Sequence, residues 1–138
     1  MRNLISLILM LLFASASIGQ QKNAAKQSAV VKEEGFEMKQ YYFVMLKKGS
    51  RRGSIKDTSV LNEIQRGHIE NINRLAKAGK ILVAGPFGDD GEWRGLFIFD
   101  ASGTEEVEKL LQTDPAIAAG RLDYEIHPWW TAKNAVFK

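Results

Sequence analysis

Two residues in this chain have the chemistry for proton transfer. His68 lies in the stretch GHIENINRLAKAGKILVAGP, on the apolar stripe of a helical pattern formed by Leu61, Ile64, His68, Ile72 and Leu75. An imidazole gains and loses a proton near neutral pH, so an inward-facing histidine can act as both acid and base. Asp114 stands at the end of a second helical pattern, just before Pro115. A carboxylate beside His68 would fix the ring's tautomer and stabilise its imidazolium form. Each residue also fits a plainer role. On periodicity alone His68 is better read as a hydrogen-bonded core histidine, and an Asp-Pro step commonly ends a helix. Spacing leaves open whether the two side chains meet.

The remaining candidates are weaker. Gly85-Pro86 ends a short apolar strand, where a glycine would let a ligand approach the backbone closely; a plain loop start is an equal reading. Asp89, Asp90 and Glu92 have no adjacent histidine and are read as a solvated turn, with no metal site expected. The basic segment KKGSRRGSIK, residues 47–56, could steer an anion, although a solvated loop is the commoner use of such a run. His127-Pro128 is read as a strand end without a catalytic role, and Trp93, Trp129 and Trp130 as core or dimer contacts. The chain has no cysteine and two histidines, which excludes disulfides and thiolate chemistry and argues against a multi-histidine zinc centre. It carries no phosphate-binding glycine loop, serine nucleophile elbow or dinucleotide fingerprint. No cofactor is expected.

Elements must position these groups. Tyr41 to Leu46 is rich in strand formers. Asp57, Thr58 or Ser59 can cap the helix that carries His68. Gly67 weakens that helix interior, which would be tolerated if another backbone or a ligand came close beside His68. Gly79 is placed to end the helix in a left-handed conformation. Ile81 to Ala84 is apolar throughout and is expected to be buried on both faces. Trp93 to Asp100 completes a hairpin after the Asp89-Asp90-Gly91 turn. Thr104 is expected to cap a second helix with the stripe Val107, Leu110 and Leu111, and a short helical piece can follow Pro115 up to Gly120. Leu122 to Trp129 is the last strand. The order β-α-β-β-α-β predicts an α+β, ferredoxin-like fold, an antiparallel sheet with both helices on one face. Phe97 and Phe99 alternate with Leu96 and Ile98, so both sheet faces call for burial. That favours a homodimer with two sheets face to face.

The 138 residues suit one domain, and 45% apolar with 25% charged residues is ordinary globular composition. A net charge of +3 is too small a bias to suggest nucleic-acid binding. Residues 1–19 read as a signal peptide: Arg2, an apolar run from Leu4 to Phe13, then Ala14-Ser15-Ala16 or Ser17-Ile18-Gly19 as cleavage signatures. The run is too short for a comfortable membrane span, and no cysteine follows it for lipid attachment. Export to a bacterial periplasm or the exterior is expected, with no membrane association after cleavage. Residues 20–39 read as a flexible linker, 40–131 as the folded domain and 132–138 as a tail.

Taken in order, the histidine, the Leu-x-x-x-Gly segment, Ala-Gly-Pro, Asp-Pro, Gly120 to Leu122 and the closing Pro-Trp resemble the YCII-related domain family over about Gln40 to Trp130. That resemblance implies a ferredoxin-like domain forming a dimeric α/β barrel. It also implies an active site built from a histidine and an aspartate, here His68 and Asp114, with Gly85 and Pro86 beside the pocket. A few members of the family act as dehydrochlorinases on chlorinated hydroquinones. Where many members carry an aromatic after the Asp-Pro, this chain has Ala116. The resulting expectation is a small-molecule lyase or hydrolase using a His-Asp dyad on an unknown substrate. The alternative is a non-catalytic dimeric module that binds a small ligand in the same pocket.

Overall fold

The computed structural model describes residues 31–33 and 36–137. The signal-peptide reading and most of the linker reading fall outside these residues. Five strands and three helices follow in the order β1 (Val31–Glu33), β2 (Phe36–Lys48), α1 (Thr58–Lys77), β3 (Ile81–Pro86), β4 (Trp93–Phe99), α2 (Thr104–Leu111), α3 (Pro115–Ala118) and β5 (Leu122–Ala132). All strand pairs are antiparallel: β5 pairs β2, β2 pairs β4, β4 pairs β3, and β1 adds a short edge to the start of β2. Without β1, this is the ferredoxin-like βαββαβ arrangement that the element order predicts. Among the described residues no helix is long and apolar enough to cross a membrane.

One sheet face carries the core. Tyr42, Val44 and Leu46 of β2, Phe97 and Phe99 of β4 and Ile81 of β3 meet Leu75 of α1 and Val107 and Leu111 of α2. Phe99 is fully buried, and burying such a ring is worth about 1.5–3 kcal/mol over leaving it exposed. The alternation of strand side chains sends Phe43, Met45, Leu96 and Ile98 to the opposite face.

Several boundaries depart from the sequence reading, each for a physical reason. Residues 31–33 and 36–39, expected in the linker, are strand, because the start of β2 pairs with β1 through Val31↔Met38 to Glu33↔Phe36 and with β5 through Met38↔Ala132 and Lys39↔Thr131. Likewise β5 runs through His127 and Pro128 to Ala132. It is an edge strand, where a proline's missing N–H can face away from the ladder. β3 is the other edge, so Leu82 and Ala84 are exposed where burial on both faces was expected. Trp93, Trp129 and Trp130 are likewise exposed rather than core.

The helix ends follow the capping rules with one exchange. Asp57 caps α1, its Oδ1 accepting from the Ser59 N–H at 2.8 Å. Gly79 ends α1 at φ +69°, the left-handed conformation for which glycine is suited. Thr104 does not cap α2: Gly103 holds that position without a side-chain bond, and Glu106 reaches back to accept from the Ser102 N–H at 2.8 Å and its hydroxyl at 2.7 Å. A carboxylate in the first turn also suits the positive end of the helix dipole.

Candidate functional site

The site forms where α1 crosses the start of α3. Pro115 occupies the first position of α3, where a proline's fixed φ is already helical and its missing N–H costs nothing. Asp114 caps this short helix, its Oδ1 accepting from the Ala116 N–H at 2.8 Å. The other carboxylate oxygen, Oδ2, lies 2.7 Å from Nδ1 of His68. Asp114 is only 1% exposed. The capping aspartate and the partner of His68 are therefore one residue, and both of its oxygens are in use.

Two features bring the helices this close. The first is Gly67: a β-carbon there would stand 2.9 Å from Cγ of Pro115. The expected close approach at Gly67 is real, but the neighbour is the Pro115 ring rather than a backbone or a ligand. The second lies one helical turn beyond His68. Arg74 donates to Oδ1 of buried Asn71 at 2.6 Å and to Oγ1 of Thr113 at 2.9 Å. This ties α1 to the residue preceding Asp114. Sequence reasoning passed over Asn71, although a polar residue three positions after His68 on the same stripe was a usable signal.

The His68 side chain is 12% exposed. Its Nδ1 is taken by Asp114, which leaves Nε2. Among the described residues Nε2 has no hydrogen-bond partner, and no polar side-chain atom is both buried and unpartnered. Nε2 is therefore open to the cavity that His68 lines, a space of about 350 Å³. A carboxylate is an acceptor, so in the neutral ring it favours the tautomer with hydrogen on Nδ1, and the lone pair sits on Nε2. Phe97 stands beside the imidazole, ring centres 6.3 Å apart, and meets Phe99 edge-on at 5.9 Å. Apolar packing of this kind limits how far the histidine can turn.

Gly85 and Pro86 line the same cavity. A β-carbon at Gly85 would meet nothing within 4 Å, so the cavity side of this strand is open there. Gly95 is constrained instead: a β-carbon on it would come 2.5 Å from the Gly85 carbonyl oxygen. Three of the four expected site residues, His68, Gly85 and Pro86, thus line one cavity, while Asp114 is buried behind His68 and does not line it. His127 is apart from it, exposed on β5 with Glu125 3.7 Å away. Among the described residues no cluster of histidine and carboxylate side chains could hold a metal ion.

Comparison with known proteins follows the same domain. The family model for the YCII-related domain matches residues 42–130. An uncharacterized protein of Bacillus subtilis (strain 168), YjpA, is 30% identical over 63 residues, which is 46% of this chain and 72% of the relative. Among solved structures, the 5-chloro-2-hydroxyhydroquinone dehydrochlorinase TftG of Burkholderia phenoliruptrix AC1100, in complex with 2,5-dihydroxybenzoquinone, is 21% identical. The match covers 64% of this chain and 92% of TftG, with a TM-score of 0.45. The structure of protein YJCS is 17% identical, with 70% of this chain and 99% of that one covered and a TM-score of 0.36.

Proposed function

The chain belongs to the YCII-related domain family, and from that premise we propose that it is a small-molecule enzyme, a lyase or hydrolase, working through a His68–Asp114 acid–base dyad. The observation that carries this reading is the 2.7 Å contact between His68 Nδ1 and a carboxylate oxygen of buried Asp114, at the wall of a cavity. In the proposed step Nε2 of His68 takes a proton from the substrate. The imidazolium charge that forms faces Asp114, and the proton then passes to the leaving group or to water. Groups positioned in this way contribute about 10²–10⁴-fold to rate. Gly85 and Pro86 shape the wall that admits the substrate, and the dyad mechanism calls for no cofactor.

The domain is proposed to act as a homodimer, its open sheet face covering that of a second copy. Phe43, Met45, Leu96 and Ile98 support this, since they make that face apolar across two central strands. Export through residues 1–19 and action in a periplasm or outside the cell complete the proposal.

The test is turnover across a panel of small molecules with acidic C–H bonds or leaving groups, using wild type, His68→Gln and Asp114→Asn. A loss of at least a hundredfold in both variants is expected for any compound turned over. Unchanged turnover in both would end the dyad reading. Binding without turnover across the panel would instead support a non-catalytic ligand-binding module.

A further inference from the structure

Three arginines from three separate segments line the dyad's cavity: Arg52, Arg94 and Arg121. Their placement is built into the backbone. The loop after β2 is clamped to the segment before β5 by Gly49 N–H donating to the Arg121 carbonyl at 3.0 Å and Arg51 N–H donating to the Gly120 carbonyl at 2.9 Å. The clamp needs its glycines. A β-carbon at Gly49 would stand 2.3 Å from the Gly120 carbonyl oxygen, and Gly120 itself is left-handed at φ +70°. The clamp therefore brings Arg52 and Arg121 to the same cavity.

Arg94 arrives differently. Strand β4 carries one extra residue there, since Leu46 pairs with Gly95 while Lys47 pairs with Trp93. Such a bulge re-aims a side chain out of the strict alternation, and Arg94 lines the cavity beside Gly95 and Phe97. It is held by the Asp89 carbonyl at 3.1 Å and by Oδ1 of Asp90 at 2.9 Å. Asp90 is itself 87% exposed, so it neutralises little of the charge inside the cavity. Among the described residues neither Arg52 nor Arg121 has a carboxylate partner. Burial first, then the charges of Arg94 and Arg121, push the Arg52 guanidinium below its ordinary value, and Asp90 works the other way. Three like charges around one hollow, with Asp90 the single carboxylate paired to any of them among the described residues, form a site that an anion would complete.

We infer that this cavity takes a small molecule bearing an oxyanion (a carboxylate, phosphate or ionised phenol), held by Arg52, Arg94 and Arg121 while its apolar body rests against Leu46, Ile72 and Phe97. The inference rests on the proposed reading of the cavity as the substrate site, and it names the class of substrate. The size, about 350 Å³, is at the small end of the range for ligand sites and suits a one-ring or short-chain compound.

The experiment is titration of the full chain with benzoate, phenyl phosphate and neutral benzamide, followed by calorimetry and by the His68 ring signals in NMR. Benzoate or phenyl phosphate is expected to bind, to shift the His68 signals and to weaken with added salt, and benzamide to bind at least tenfold more weakly. Arg52→Gln with Arg121→Gln is expected to weaken anion binding at least tenfold while the fold, read by circular dichroism, is kept. His68→Gln is expected to retain anion binding, which separates recognition from proton transfer. Benzamide binding as tightly as benzoate, failure of both anions to bind at millimolar concentration, or unchanged anion affinity in the double arginine variant would each overturn the inference. Unchanged anion affinity in that variant, together with lost turnover in His68→Gln, would do so while leaving the dyad intact.

Discussion

Pro115 rests on Gly67, its Cγ 2.9 Å from where a β-carbon on that glycine would stand. The glycine is an indentation in α1 and the proline ring fills it. Because Asp114 precedes Pro115 and His68 follows Gly67, the seating of the ring sets the distance between the His68 and Asp114 side chains. The weak point in the helix is thus the point at which the dyad is assembled.

Gly67→Ala tests this. In an open helix the substitution would stabilise by about 1 kcal/mol. Here overpacking against Pro115 costs about 1–3 kcal/mol, so the helix gain is cancelled or reversed. Thermal unfolding is expected to show no stabilisation, and the His68 ring signals are expected to move. Pro115→Ala removes Cγ, and in that background Gly67→Ala is expected to recover its helix gain. A stabilised single variant with unmoved His68 signals would show that the seating does not set the dyad.

Asp114 does two jobs, and two substitutions separate them. Asn retains a carbonyl oxygen for the Ala116 N–H, whereas Ala does not. Asp114→Asn is expected to lose about 1–3 kcal/mol from the altered His68 contact. Asp114→Ala is expected to lose about 1 kcal/mol more with the cap. Both are expected to be inactive, so activity and stability should part company between them. Chemical denaturation and turnover check this, and an active Asp114→Asn would contradict it.

The path from sequence to site was only partly readable. The helix and strand order follows from periodicity, glycine stops and caps, and so does the inward setting of His68. Edge status does not, because it depends on sheet order: Leu82 reads as core yet lies on an outer strand. The meeting of His68 with Asp114 depends on a glycine and a proline far apart in the chain fitting together. The Asn71, Arg74 and Thr113 bonds are equally non-local. Arg94 reaches the cavity through a bulge that no strand alternation reveals. Arg52 was visible only as part of a basic loop, because the clamp at Gly120 that positions it is a tertiary contact.

Glu106 gives a pH dependence outside the site. Lys80, 2.6 Å away, and then the Ser102 donors hold its carboxyl down to about 2. A carboxyl lowered in the folded state stabilises above its unfolded value, and that contribution fades as pH falls from about 4.5 toward 2. Both partners are partly exposed, so solvent screening limits the gain to about 1 kcal/mol or less. Glu106→Gln is expected to be less stable than wild type at pH 7 and equal to it near pH 2. Melting curves across this range check the sign, and a constant difference would contradict it.

The open sheet face predicts a dimer. Light scattering at micromolar concentration is expected to give twice the chain mass. Phe43→Lys, placing a charge at the centre of the proposed interface, is expected to halve it while circular dichroism stays unchanged. A folded wild-type monomer would contradict the proposal.

The most direct measurement of the central claim is nitrogen-15 NMR of the imidazole rings, simplified because the chain has two histidines and His127→Gln assigns them. In neutral His68 the expected signature is a proton on Nδ1 that exchanges slowly, with Nε2 as the unprotonated nitrogen, reversing to a proton on Nε2 in Asp114→Asn. A neutral His68 protonated on Nε2 in the wild type, or one indifferent to Asp114→Asn, would contradict the account.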